Sequence, residues 1–264
     1  MTPERLTELV PGVFVASARA YATLSTVLLD GTGGAVVVDP AWYPDELGAL
    51  ADDVQALGAV CVGGVATHEH YDHVLWHPEL GSVPRWCSSA TAAAFADPAR
   101  RSELLGPAGD FLPPDLLDLA GRDLSAIPGD HLPWDGPTAL ALVHDAHAVG
   151  HLALFLPDSG VLLVGDMLSD VELPMPDDDE VTLARYLTGL DALAPLVAAA
   201  RWLIPGHGEP TDRPMTRLDA DRRYLDALLA GRTSTDERIG APGMSALHEA
   251  NLARAARMVG RDLP

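Results

Sequence analysis

The chain has 264 residues, 48% of them hydrophobic and 21% charged, with a mean hydropathy of +0.12. That is the make-up of one globular domain, or of one domain with an extension, and it excludes an extensively disordered chain. The formal net charge of −21, from 38 acids against 17 arginines and no lysine, disfavours nucleic acids and anionic membranes as partners.

The first ten residues carry Glu4, Arg5 and Glu8 and hold no hydrophobic stretch of signal length. No apolar run reaches membrane-spanning length, so a cytoplasmic protein is expected. Residues 12–18, 25–30 and 35–39 are short β-type runs parted by turn residues, and they predict an antiparallel meander. Asp39 ends the third run, either as a partner for a metal-bound imidazole or as a turn residue. Residues 44–57 predict a helix with proline in its first turn, closed by Gly58.

The apolar run 61–66 reads as a buried strand. It delivers Thr67-His68-Glu69-His70-Tyr71-Asp72-His73, which crowds His68, His70, Asp72 and His73 into six residues. In extended chain His68 and His70 project to one side. Asp72 and His73 follow where the chain turns toward a helix, so they can aim at a neighbouring position. Imidazole nitrogen and carboxylate oxygen suit zinc, and iron or manganese also fit. The helical H-E-x-x-H pattern is excluded, because Asp72 stands where its second histidine is required.

Beyond the motif, 85–88 predicts a strand and 89–96 a short helix. Residues 97–135 read as an irregular or short-helical insertion of the kind that covers active sites, with Pro98, Pro107, Pro113 and Pro114 among leucines and acids. Strands resume at 138–143, 152–156 and 161–164, the last two joined as a hairpin through 157–160. A helical region is expected over 178–200, interrupted at Gly189 and Pro195. A strand at 202–205 then leads to Gly206-His207-Gly208, and two tail helices follow at 215–229 and 245–259. This divides the chain into a catalytic domain, 1–212, and a C-terminal helical extension, 213–264, packed on it. Cys61 and Cys87 lack metal spacing and read as core residues. Trp42, Tyr43, Trp76 and Trp86 either line a cleft or pack the core, and His77, His131 and His248 are expected at the surface.

His147, Asp166 and His207 each stand just past a predicted strand, where a rigid strand end can launch a ligand. With the 67–73 motif, the order His-x-His-x-Asp-His, His147, Asp166 in Gly-Asp and His207 in Pro-Gly-His-Gly resembles the metallo-β-lactamase-fold hydrolases, over about residues 10–212. The resemblance implies an α+β fold, a four-layer αββα sandwich, with two metals in a cleft at one edge of the sheets. It assigns His68, His70 and His147 to the first metal, Asp72, His73 and His207 to the second, and Asp166 to a bridge between them. His144 and His151 flank His147 in a degenerate form of the family's repeated Thr-Pro-Gly-His run, with His147 at the ligand position and His151 supporting it.

Two Zn2+ ions sharing a water would make it a hydroxide near neutral pH, able to attack a polarised carbonyl, with Asp72 as candidate proton shuttle. No Gly-x-Ser-x-Gly elbow competes for the role. The expected reaction is hydrolysis of an ester, lactone or thioester of a small or medium acyl compound. His73 together with Asp166 departs from dedicated β-lactamases. The ligand set is similar to that of glyoxalase-II-type thioesterases, but their glutathione-binding basic residues have no clear match. The tyrosine that lactonases place after the bridging aspartate is replaced here by Met167, Leu168 and Ser169. Two alternatives stand beside the hydrolase: a mononuclear iron oxygenase of the persulfide dioxygenase type, and a metal-stabilised binding protein without turnover. The partner is a small molecule, and a homo-oligomer stays open.

Overall fold

The computed structural model describes residues 5–176 and 182–260, so the start of the expected 178–200 helix and the last four residues lie outside the description. Seven strands run in sequence order across the first sheet. They are β1 (Thr7–Val10), β2 (Val13–Ser17), β3 (Leu24–Leu29), β4 (Gly34–Val38), β5 (Val60–Val65), β6 (Arg85–Cys87) and β7 (Leu124–Ala126). β2 through β4 form the expected antiparallel meander, β1 adds an unexpected antiparallel edge strand, and β4 through β7 are parallel. Parallel neighbours need crossovers. α1 (Pro44–Ala56) supplies the one between β4 and β5, and α2 (Ser89–Ala96), α3 (Pro98–Leu104) and α4 (Pro114–Leu119) fill the one between β6 and β7.

The second sheet is built from β8 (Leu140–His144), β9 (His151–Leu156), β10 (Val161–Leu163) and β11 (Trp202–Ile204), in the order β11-β10-β9-β8. α5 (Leu183–Ala199) makes the crossover to β11, which lies parallel to β10. The helix runs on through Gly189 and Pro195, correcting the expected interruptions. A Cβ at position 189 would collide with the Ala146 side chain, so this glycine serves the close approach of α5 to the segment carrying His147. α6 (Pro214–Leu229) and α7 (Met244–Met258) complete the described chain.

Side-chain alternation explains why the elements stack in layers. Val13, Val15, Val36 and Val38 face the space between the sheets and meet Leu152, Leu154, Leu156 and Leu163 there. Their strand neighbours Phe14, Ala35 and Val37 turn outward onto Leu50, Ala51 and Val54 of α1. On the other side, Ala153, Phe155 and Leu162 face Leu190, Leu193 and Val197 of α5 and Leu218 and Leu225 of α6. Helix, sheet, sheet and helix follow one another, the α+β sandwich expected from the sequence. Burying one such leucine stabilises the fold by roughly 2–3 kcal/mol.

Every candidate ligand stands just past the C-terminal end of a strand: 68–73 after β5, His147 after β8, Asp166 after β10 and His207 after β11. Backbone hydrogen bonds tie these ends together. Leu152 N donates to Thr67 O at 2.7 Å, Leu24 N to Gly206 O at 2.7 Å and Gly206 N to Gly165 O at 2.6 Å. The shared edge of the two sheets is therefore the rigid base of the site.

Candidate metal centre

The seven side chains singled out by sequence meet at that edge. His68, His70, His147 and Asp166 form one group and Asp72, His73 and His207 a second, each with its ligand atoms within 4.8 Å of one another. Asp166 reaches both. Its Oδ2 lies 3.5 Å from Nε2 of His68 and of His147 and 3.3 Å from Nε2 of His207, while its Oδ1 lies 3.1 Å from Nε2 of His73. Asp72 Oδ2 is 3.3 Å from His207 Nε2 and 3.4 Å from His73 Nε2. Gly206 makes this convergence sterically feasible, because a Cβ there would collide with the Asp166 carboxylate.

Hydrogen bonds on the far side of each ring fix which nitrogen faces inward. His147 Nδ1 donates to Met175 O at 2.7 Å, His73 Nδ1 to Asp39 Oδ2 at 3.0 Å, and His207 Nδ1 to Tyr21 O at 3.1 Å. His68 Nδ1 lies 3.0 Å from Thr67 Oγ1, whose own proton goes to Asp39 Oδ2, so His68 is the donor. In all four rings the Nε2 lone pair is turned into the cluster. His70 Nδ1 sits 2.9 Å from His68 Nε2 and 3.0 Å from His147 Nε2. One ring proton cannot serve two acceptors well. His73 Nε2 and Asp166 Oδ1 are buried without a hydrogen bond even though they are neighbours. Converging lone pairs and orphaned buried atoms are the donor arrangement that divalent cations take, and imidazole with carboxylate suits zinc, iron or manganese.

The electrostatics agree. Burial lowers His73 and His207, but Asp166 and the other carboxylates outweigh it and hold both imidazoles well above the ordinary value. Burial would raise Asp72 and Asp166; the facing histidines instead hold both carboxyls well below the usual range. His68 goes the other way, pushed well down by burial and by His73 beside it. A cluster that draws protons onto two of its rings in this way attracts positive charge of any kind.

A cavity of about 560 Å³ opens beside the two groups and is lined in part by His70, Asp72, Asp166 and His207. Of the aromatic residues flagged in the sequence, Trp42 lines it, with Phe111 stacked behind at 5.5 Å and Tyr43 edge-on to Phe111. Trp76 is packed in the core beneath α1 and Trp86 against the inter-sheet core, so neither reaches the cleft. Residues 97–135 contribute Phe111 as backing but none of the cavity lining among the described residues. The segment Ala241 to Met244 lines it instead. Sequence reasoning missed that segment, and also Tyr21, Tyr71 and Glu172. Glu172 could be found only in three dimensions, where its carboxylate joins Asp166 and His207 in a third potential cation group; burial pushes it up to about 7.

The remaining histidines separate clearly. His151 Nε2 accepts from Asp166 N at 3.2 Å and supports the site from behind, with His144 stacked on it. His77 pairs with Glu79 and His131 with Asp130, both away from the cavity. His248 is half-buried rather than a surface residue, with its Nδ1 at 3.0 Å from the Tyr224 hydroxyl.

Comparison with known proteins adds a second line of evidence. Residues 21–224 match the family model of the metallo-beta-lactamase superfamily. A hydroxyacylglutathione hydrolase of Synechococcus sp. (strain JA-3-3Ab) is 30% identical over 138 residues, 52% of this chain and 45% of that protein. One from Rhodospirillum rubrum is 28% identical over 137 residues, 52% of this chain and 44% of that protein. The chain thus spans less than half the length of these curated relatives. Among solved structures, a metallo-beta-lactamase family protein from Thermus thermophilus superposes with a TM-score of 0.68 at 23% identity, over 96% of this chain and 95% of that one. A sec-alkylsulfatase from Pseudomonas sp. gives 0.62 at 17% identity, over 86% of this chain and 42% of that one.

Proposed function

Since the chain belongs to the metallo-beta-lactamase superfamily, we propose that it is a dinuclear zinc hydrolase that cleaves an ester, lactone or thioester of a small or medium acyl compound. One observation carries the reading: four imidazoles each commit Nδ1 as a donor and turn Nε2 inward, toward His70 Nδ1 and the carboxylates of Asp72 and Asp166. In this proposal His68, His70 and His147 hold one metal, Asp72, His73 and His207 hold the other, and Asp166 bridges. Iron or manganese could take the same donors. The bound ions supply Lewis acidity, polarising a carbonyl and lowering the pKa of a water.

The residues do the rest. Asp39, Thr67, Tyr21 O and Met175 O hold the four rings in one tautomer, so the site is organised before substrate arrives. Asp72, one of the cavity-lining residues, takes the proton of the attacking water and passes it to the leaving atom. Trp42 and Tyr71 exclude water around the acyl group. A full second group, Asp72, His73 and His207, weighs against the mononuclear iron oxygenase. The division into residues 1–212 and a 213–264 extension belongs to the same proposal, although the family match runs on to residue 224, through most of α6. A cytoplasmic setting belongs to the same proposal.

The test is hydrolysis by zinc-loaded protein of an acyl thioester and the oxygen ester or lactone of the same acyl group. Turnover should vanish with chelator and return with metal. A protein that holds metal and shows no chelator-sensitive turnover of any of these would reject the reading.

A further inference from the structure

The cavity beside the two ligand groups has a chemical character that neither the fold nor the ligand set dictates. Trp42, Tyr71, Val171, Met175 and Met244 give it apolar walls. Beyond the candidate ligands, Glu172 is the sole charged side chain among its described lining residues, and no arginine is present. Lysine is absent from the whole chain. In either protonation state Glu172 offers an anion nothing better than a hydroxyl.

The neighbouring arginines are held elsewhere. The 169–172 segment separates two cavities: Val171 and Glu172 face the apolar one, while Ser169 and Asp170 face a polar one that also contains Arg217, Arg223, Arg232 and Arg238. Arg217 is paired with Asp170 at 3.1 Å. Arg238 is buried and donates to Asp221, Asp236, Ser169 O and Glu172 O. Neither is available to a substrate in the apolar cavity.

Burying a carboxylate where no cation or donor meets it is strongly unfavourable, whereas each methylene transferred from water into an apolar wall is favourable. We infer that the cleft takes an acyl substrate without formal charge, its chain seated against Trp42, Met175 and Met244, and that it discriminates against glutathione thioesters and other anionic conjugates. The inference rests on the hydrolase reading and goes beyond it. A glutathione thioester carries two carboxylates on its peptide, and beyond the metal site itself, which the scissile group occupies, the described lining residues offer no cation for them. The volume, about 560 Å³, lies in the range of small-ligand sites.

The metal-loaded 264-residue chain is tested with paired thioesters of one acyl group, N-acetylcysteamine as the neutral thiol and glutathione as the anionic one. The neutral thioester should be preferred at least tenfold in kcat/KM. Across C2 to C8 acyl groups, kcat/KM should rise about three- to fourfold per methylene. Preference for the glutathione thioester, or a flat chain-length series, overturns the inference. Calorimetric binding of octanamide against S-octylglutathione is read independently of turnover. Tighter octanamide binding without any hydrolysis leaves the substrate class standing and removes the hydrolase reading; tighter S-octylglutathione binding removes the substrate class. Pro242→Arg, at an exposed lining residue, should shrink the neutral preference severalfold, and an unchanged ratio counts against the inference. Met244→Ala should lower the gain per methylene; should that variant fail to fold, Pro242→Arg still decides.

Discussion

Oδ2 of Asp39 lies 3.0 Å from Nδ1 of His73, and the same oxygen accepts a hydrogen bond from Thr67 Oγ1 at 2.7 Å. Its other oxygen accepts from Thr67 N at 2.8 Å. One carboxylate at the end of β4 thus fixes both the start of the 67–73 motif and the orientation of a ring within it. The sequence left Asp39 open between a partner for an imidazole and a turn residue, and the hydrogen bonds select the partner.

Asp39→Asn keeps the acceptor for Thr67 N but removes the charge facing His73. Retention of metal by the Asp72, His73 and His207 group should weaken about tenfold to hundredfold. Competition with a fluorescent chelator reads this directly. Unchanged retention would mean that the Asp39 contact orients the loop without tuning the ligand.

The site was legible where it is local. An apolar strand running into His68, His70, Asp72 and His73 announces itself within a dozen residues, whereas His147, Asp166 and His207, each a weak signal at its strand end, were picked out only by the family's motif order. The cleft walls were not legible, because they are assembled over long separations. Glu172 lies among acids without periodicity, and Met244 opens a helix some seventy residues beyond Leu173, whose amide donates to its sulfur at 3.2 Å. Pro195 reads as a helix breaker by local propensity, yet α5 continues through it because Leu190, Leu193 and Val197 are buried on the second sheet and α6. The short edge strands β1 and β7 have too little apolar content to signal themselves.

Asp166→Asn should take the protein from two bound metals toward one, since its carboxylate reaches both ligand groups, Oδ2 facing His68, His147 and His207 and Oδ1 facing His73. His70→Ala should abolish turnover, losing more than the ~100-fold typical of an outer partner. Both variants should keep the wild-type circular dichroism. Metal analysis after desalting checks the stoichiometry, and two metals with an undiminished rate in Asp166→Asn would remove the bridging role.

Arg238 is 8% exposed and Asp221 1%, with 2.7 Å between them. Burial pushes the Asp221 carboxyl up to about 6 even against that arginine. Arg238→Met leaves Asp221 with the Tyr186 hydroxyl at 3.5 Å but no cation, takes their donor from Ser169 O and Glu172 O, and should cost about 3–5 kcal/mol in urea unfolding. The double variant Arg238→Met, Asp221→Leu should recover part of that loss. Equal losses in single and double variants would show that the backbone bonds to 169 and 172 carry the effect rather than the ion pair.

His144 supplies a pH dependence whose sign can be worked out. Its Nδ1 accepts from Ala146 N at 3.3 Å, so Nε2 carries the proton, and Nε2 is buried without a partner. The ring stacks on His151 with centroids 4.9 Å apart. Burial lowers the imidazole to about 4, with Asp145 opposing. The unfolded chain therefore takes up a proton below about 6.5 that the fold refuses. Stability from this group is complete above 6.5 and is lost as pH falls toward 4. Between about pH 7 and pH 5 the loss is about 2 kcal/mol. His144→Phe keeps a stacked ring and removes the titration, so its urea stability should fall about 2 kcal/mol less than the wild type's over that interval. Metal release at low pH affects both proteins alike and cancels in the difference. Equal losses would mean that His144 takes its proton in the folded state as readily as in the unfolded one, and that burial against His151 does not set its charge.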